Sequence, residues 1–171
     1  MERIHCSIEY NSAEDQGYPL CEVLYNDYVI KKFIAESNNV EFWFDSKNDF
    51  FKFTIRHYGK DMKKHTKRFI EIKKIYFNDV DIKNLIWKTT QKPVLPSWQN
   101  YKDYNWESNL YMGHNGDLDW NLQSPIMKFL LDYHQSNRKI DHGLQQNNIN
   151  LLDEMIDYFE KIIKNKKNIK F

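Results

Sequence analysis

The chain is 171 residues long and carries 25 Lys and Arg against 24 Asp and Glu, a formal net charge of +1. So even a balance sets up no global field to recruit nucleic acid or an anionic membrane, and no apolar run approaches the length of a membrane helix. Aromatic residues make up 16% of the chain and glycines number 5, which favours a β-rich core or an aromatic binding surface over a phosphate-cradling loop architecture.

Ile4, Cys6, Ile8 and Tyr10 alternate with Arg3, His5, Ser7 and Glu9, predicting a first strand with one buried face. The opening Met-Glu-Arg-Ile has no apolar h-region, so no export signal is expected. Asn11 to Pro19 is polar, contains Gly17, and reads as a loop. From Leu20 to Ile34 the apolar spacing fits a helix face, or two strands joined at Asn26-Asp27, residues that accept the positive φ of a two-residue hairpin turn. An internal echo favours the strands. Leu24-Tyr25-Asn26-Asp27-Tyr28-Val29-Ile30-Lys31 parallels Tyr76-Phe77-Asn78-Asp79-Val80-Asp81-Ile82-Lys83, and the second copy follows the β-branched Ile70, Ile72 and Ile75. The echo is read as a shared hairpin idiom rather than a duplication. Cys6 and Cys21 fall in strands and are expected as buried thiols.

The segment from Asn39 to Phe77 reads as three antiparallel strands. Val40, Phe42 and Phe44 alternate with Glu41, Trp43 and Asp45; Phe51, Phe53 and Ile55 alternate with Lys52, Thr54 and Arg56. The turn-prone Ser46-Lys47-Asn48-Asp49 between them predicts a hairpin. Gly59 to His65 is lysine-rich and lacks interleaved aromatics, so it is expected as a solvated, charged hairpin tip and not a nucleic-acid contact.

After Trp87 the texture changes. Pro93 and Pro96 bar a regular central strand, and residues from about 88 to 116 read as a long ordered loop. Its Trp98, Tyr101, Tyr104 and Trp106 are the candidate ligand-binding set: they either stack on sugar rings or fill a partner's pocket, or they cover the open end of the sheet as core. Leu118, Trp120 and Leu122 alternate beyond an Asn115-Gly116 turn, predicting one more strand. Ser124 as N-cap with Pro125 at the first helical position opens a helix to about His134, its face formed by Ile126, Phe129, Leu130 and Tyr133. A polar linker leads to a final helix from about Ile149 to Lys164. Leu152, Met155, Phe159 and Ile162 share its apolar face and are the candidate partner-binding residues.

The densest polar cluster is His114-Asn115-Gly116-Asp117-Leu118-Asp119. Asp117 and Asp119 could supply oxygen ligands to Ca²⁺, or be solvated carboxylates of a hairpin turn; no full EF-hand pattern is present, and no metal is assigned. The histidines show no zinc-type spacing, and no Ser or Cys sits in a nucleophile-elbow context. The chain is therefore read as a non-enzyme.

Arg56-His57-Tyr58-Gly59-Lys60, the run from Ile70 to Ile82, Asn109 to Gly116 and Ser124 to Leu131 together resemble small tailed-phage proteins. Through the strand-turn pattern ending at Asn78-Asp79, those proteins are similar to calcium-dependent xylan-binding modules. The resemblance spans roughly Ile4 to His134. The chain departs from the pattern in having Asn-Asp for Asn-Gly, and His114 where a Trp is expected. The resemblance implies a virion-associated β-sandwich that binds a partner subunit or a glycan, without catalytic residues. The expected architecture is an antiparallel β-sandwich, jelly-roll or carbohydrate-binding-module-like, over residues 1–123, with two C-terminal helices in 124–171. The expected location is the virion or the host cytoplasm. The alternative is a cytosolic immunity protein that blocks a toxin by protein–protein binding.

Overall fold

The computed structural model describes residues 1–82, 85, 89–95 and 110–138, with side chains to Tyr133. Residues Met1–Leu131 form one compact unit and Asp132–Phe171 a second. The first unit is an antiparallel β-sandwich. One sheet runs in the order β4 (Asn39–Ser46), β1 (Glu2–Ala13), β6 (Phe69–Phe77), β7 (Val80–Asp81), with the short β9 (Tyr111–Met112) also on β6. The other runs β3 (Tyr28–Ile34), β2 (Leu20–Tyr25), β5 (Phe50–Tyr58), β10 (Gly116–Gln123), β8 (Thr90–Pro93). A helix, α1, spans Ile126–Arg138. The expected second helix lies outside the described residues.

Period-two alternation explains the core. Ile4, Cys6, Ile8 and Tyr10 of β1 and Leu118, Trp120 and Leu122 of β10 are all buried, as are Phe42, Phe44, Phe51, Phe53, Ile55 and Phe77. Cys6 and Cys21 are free, buried thiols in opposite sheets, and burial pushes the Cys21 thiol up to about 12. The expected loop after Asn11 begins later, because β1 continues to Ala13 by pairing with β6.

Both Asn-Asp turns are hairpins. Asn26 and Asp27 have φ of 48° and 69°, Asn78 and Asp79 of 50° and 68°; consecutive left-handed residues match strand twist, and Asn and Asp tolerate them best after glycine. The first joins β2 to β3 and the second joins β6 to β7.

The hairpin expected across Ser46–Asp49 does not form. β4 pairs with β1, whereas β5 pairs with β2 and β10 in the other sheet. Alternation specifies which face of a strand is buried but not which strand lies beside it. Here the two aromatic faces meet across the core: Phe44 lies 6.2 Å from Phe51 and 6.0 Å from Phe53. The Gly59–His65 excursion likewise links opposite sheets and is no hairpin tip. Pro93 ends an edge strand, where its missing donor costs no ladder bond. A Cβ at Gly116 would stand 2.4 Å from the Lys92 carbonyl oxygen, so β8 can lie against β10 only with glycine there.

The helix start is capped differently from the sequence expectation. The Ser124 hydroxyl donates to Glu2 Oε2 (2.7 Å), and the Ile126 amide donates to the same oxygen (2.9 Å). The cap is thus a carboxylate from β1, favourably placed at the positive end of the helix. Glu2→Ala is expected to destabilise by about 1 kcal/mol, as lost caps do. A thermal melt of that variant coinciding with wild type would remove this role.

Candidate ligand-binding face

The outer face of the β4-β1-β6-β7 sheet carries an exposed tryptophan. Trp43 alternates with the inward Phe42 and Phe44, which forces its ring outward, and it is 58% exposed. Its neighbour in register on β1 is His5, whose ring centroid lies 4.8 Å away at 36°. The Arg3 guanidinium sits 5.3 Å over the indole, within cation–π range. The indole is therefore held by two side chains and still open to solvent.

His5 is positioned in turn by the second Asn-Asp turn. Its amide donates to Asn78 Oδ1 and its carbonyl accepts from the Asn78 amide, each at 2.9 Å. That exchange brings Asp79 beside the imidazole, with Oδ1 3.9 Å from Nδ1, while Glu41 Oε2 lies 3.8 Å from Nε2. In the adjacent row Glu41 pairs with Ser7 and Ser7 with Tyr76. Trp43 and Tyr76 are thus two strands apart, about 10 Å across the sheet, with only Ser7 and His5 between them. Lys74 reaches over Tyr76 at 5.8 Å and also pairs with Glu9 at 3.7 Å. The result is a shallow strip of aromatic faces edged by carboxylates, a hydroxyl and an imidazole. Such a strip can stack on apolar ring faces and hydrogen-bond to hydroxyls.

A second concentration of titratable groups lies at one end of the sandwich and is buried. Lys60 is 6% exposed, and its ammonium donates to the carbonyls of Arg68 and Gly113, each at 2.6 Å. Arg68 is 5% exposed and donates to the carbonyls of Asp15 and Gln16, each at 2.8 Å. Asn115 exchanges two 2.8 Å bonds with the Lys60 backbone. His57 Nδ1 donates to the His114 carbonyl at 3.0 Å. Burial holds His57 neutral by lowering it to about 4, with Lys60 and Arg68 pushing the same way. Burial and Lys60 also lower His114. These groups tie the 14–19, 59–68 and 113–115 loops together, largely through carbonyl oxygens. The expectation that this lysine-rich excursion is wholly solvated is corrected at Lys60.

Asp117 and Asp119 project from β10 on one face, each committed to a cation. Asp117 accepts two bonds from Arg56, at 2.8 and 3.0 Å. Asp119, 5% exposed, accepts from Thr54 at 2.7 Å and Lys92 at 2.6 Å. Among the described residues no three His, Cys, Asp or Glu side chains cluster as a metal would require. Trp98, Tyr101, Tyr104 and Trp106, and Leu152, Met155, Phe159 and Ile162, lie outside the described residues. Trp43 was not among the candidates drawn from sequence; its signal there is a tryptophan at an outward position of a clean alternation.

No protein-family description matches the chain, and no curated protein does. Two solved structures are similar. One is vCBM60 in complex with galactobiose, at a TM-score of 0.49 and 10% identity, covering 69% of this chain and 99% of that one. The other is the selenomethionine form of vCBM60, described with two families of calcium-dependent carbohydrate binding modules linked by circular permutation. It has a TM-score of 0.49 and 8% identity, and covers 68% of this chain and 89% of that one.

Proposed function

We propose that this protein is a non-enzymatic glycan-binding module whose binding face is the outer surface of the β4-β1-β6-β7 sheet, centred on Trp43. The observation that carries the reading is the indole itself: 58% exposed, yet fixed by Arg3 and His5. Leaving a tryptophan in water forgoes its burial energy, and holding it rigid lowers the ordering cost when a ring stacks on it. Glu41, Ser7 and Tyr76 then supply hydrogen-bonding groups for sugar hydroxyls. A binding role rather than a catalytic one is supported by where the displaced pKa values fall. His57 Nδ1 and Lys60 are directed at backbone carbonyls at the buried end of the sandwich, with His114 lowered by burial beside Lys60, instead of converging on a cleft. The virion association implied by the phage resemblance belongs to the same proposal, and mass spectrometry of purified particles that finds none of this chain removes that part.

The experiment is affinity electrophoresis of the chain in gels containing neutral plant and bacterial polysaccharides, comparing wild type with Trp43→Ala. Retardation by one polysaccharide is expected, and loss of stacking worth about 1 kcal/mol weakens it roughly fivefold. The melting temperature should hardly move, because an exposed surface position changes stability by about 0.5 kcal/mol or less. Equal retardation of both proteins by a polysaccharide that binds would sink the Trp43 site.

A further inference from the structure

We infer that the chain has a second ligand site, on the opposite sheet, built to take a neutral polyhydroxylated ring. An open pocket of about 450 Å³ lies where β5 begins and β10 ends, beside the β2–β3 turn and α1. That volume falls in the range of small-molecule sites. Its residues divide by chemistry. Phe50 and Phe129 supply aromatic walls, and Asn26, Asn121 and Gln123 supply three carboxamides.

Three features distinguish this pocket from an ordinary hollow in a sandwich surface. Phe50 is 72% exposed although the next residue, Phe51, is buried in the core, so alternation presents an unburied phenyl to solvent at the pocket wall. The carboxamides of Asn121 and Gln123 make no hydrogen bond within the described residues. The Asn26 oxygen is spent on the Lys52 amide at 2.8 Å, which leaves its NH₂ free to donate. The cation in the lining, Lys52, is already paired with Asp27, so no unbalanced charge faces the ligand. The exposed Phe50 ring, carboxamide groups with donors and acceptors to spare, and balanced charge fit a neutral ring with one apolar face and several hydroxyls. They do not fit a carboxylated or phosphorylated one.

The site is independent of Trp43. The two lie on outward faces of opposite sheets, so one chain would hold two glycan segments at once and gain avidity on a polymer. The test is an NMR titration of the full ¹⁵N-labelled chain with cellohexaose, xylohexaose, maltohexaose and mannohexaose, and with hexagalacturonate as the charged control. At least one neutral hexasaccharide is expected to shift the amide signals of Asn26, Asn121 and Gln123. Phe50→Ala should weaken that binding at least fivefold while shifts around Trp43 persist. Asn121→Asp, which adds a charge without removing volume, should weaken it as well. Trp43→Ala should leave the pocket shifts intact. The inference is overturned if no neutral hexasaccharide moves the pocket signals, if hexagalacturonate moves them most, or if Phe50→Ala leaves them unchanged. Pocket shifts that vanish in Trp43→Ala also overturn it, because they would belong to the first site; loss of the Trp43 response alone leaves this one standing.

Discussion

Phe53→Ala is expected to lower the stability of the sandwich by about 3–5 kcal/mol, the range for deleting a fully buried phenyl ring. Phe53 is 0% exposed and sits on the central strand β5. Its ring meets Phe77 of the opposite sheet edge-on at 5.1 Å, with Phe44 at 6.0 Å and Trp120 at 6.2 Å. Removing it opens a cavity between two sheets that neighbouring strands cannot collapse to fill without losing their own ladders. At about 2–4 °C per kcal/mol for a chain of this size, the melting temperature should drop by some 10 °C. Phe50→Ala, three residues earlier but outward, serves as the control and should shift it little. Equal, small shifts for both would mean that Phe53 does not bridge the sheets.

Acidification from pH 6.5 to 5 should weaken the fold by about 2 kcal/mol through His57 alone. The unfolded imidazole has an ordinary value of 6.5, and the folded one is lowered to about 4. Below 6.5 the unfolded chain takes up a proton that the native chain refuses, so stability is complete above 6.5. It declines as pH falls and levels off near 4, by when the loss is about 3 kcal/mol. The surroundings give the refusal its cause. Lys60, Arg68 and His114 all face this end, Asp15 is the carboxylate near Lys60, and the partners otherwise are carbonyls. His114 is lowered too and adds to the loss in the same direction. Urea unfolding at pH 7, 6 and 5 measures the slope, and His57→Gln should flatten it. An unchanged slope in that variant would assign the acid sensitivity elsewhere.

Much of the sandwich is legible in the residues. Alternation alone separates Ile4, Cys6 and Ile8 from Arg3, His5 and Ser7, and the Asn-Asp pairs mark their turns because few other residues accept two successive positive φ values. Pairing is not legible in the same way. Nothing local in Phe42-Trp43-Phe44 or Phe51-Lys52-Phe53 distinguishes a strand beside its successor from one facing it across the core. The Glu2 cap on α1 was hidden for a related reason, since its partners Ser124 and Ile126 lie at the far end of the sandwich fold in sequence. The candidate face divides likewise. Trp43's outward direction follows from alternation, but His5, Asn78 and Tyr76 join it only through the pairing of β1 with both β4 and β6. Lys60 reads as solvated because its partners are carbonyls, which no side-chain pattern announces.

Except for β2–β3 and β6–β7, every connection between successive described strands passes from one sheet to the other. Neighbours in space are therefore rarely neighbours in time as the chain folds. β1 must wait for β4 and then β6, and Phe50 on β5 must find Gln123 on β10. Each such encounter closes a long loop before the contacts that offset its entropy exist, which places folding in the slow range of milliseconds to seconds, typical of β-sandwiches. The two Asn-Asp hairpins are the pieces able to form on the microsecond scale. They lie in opposite sheets, and β1, the first strand in the chain, completes its own pairing only once β6 of the second hairpin has been made.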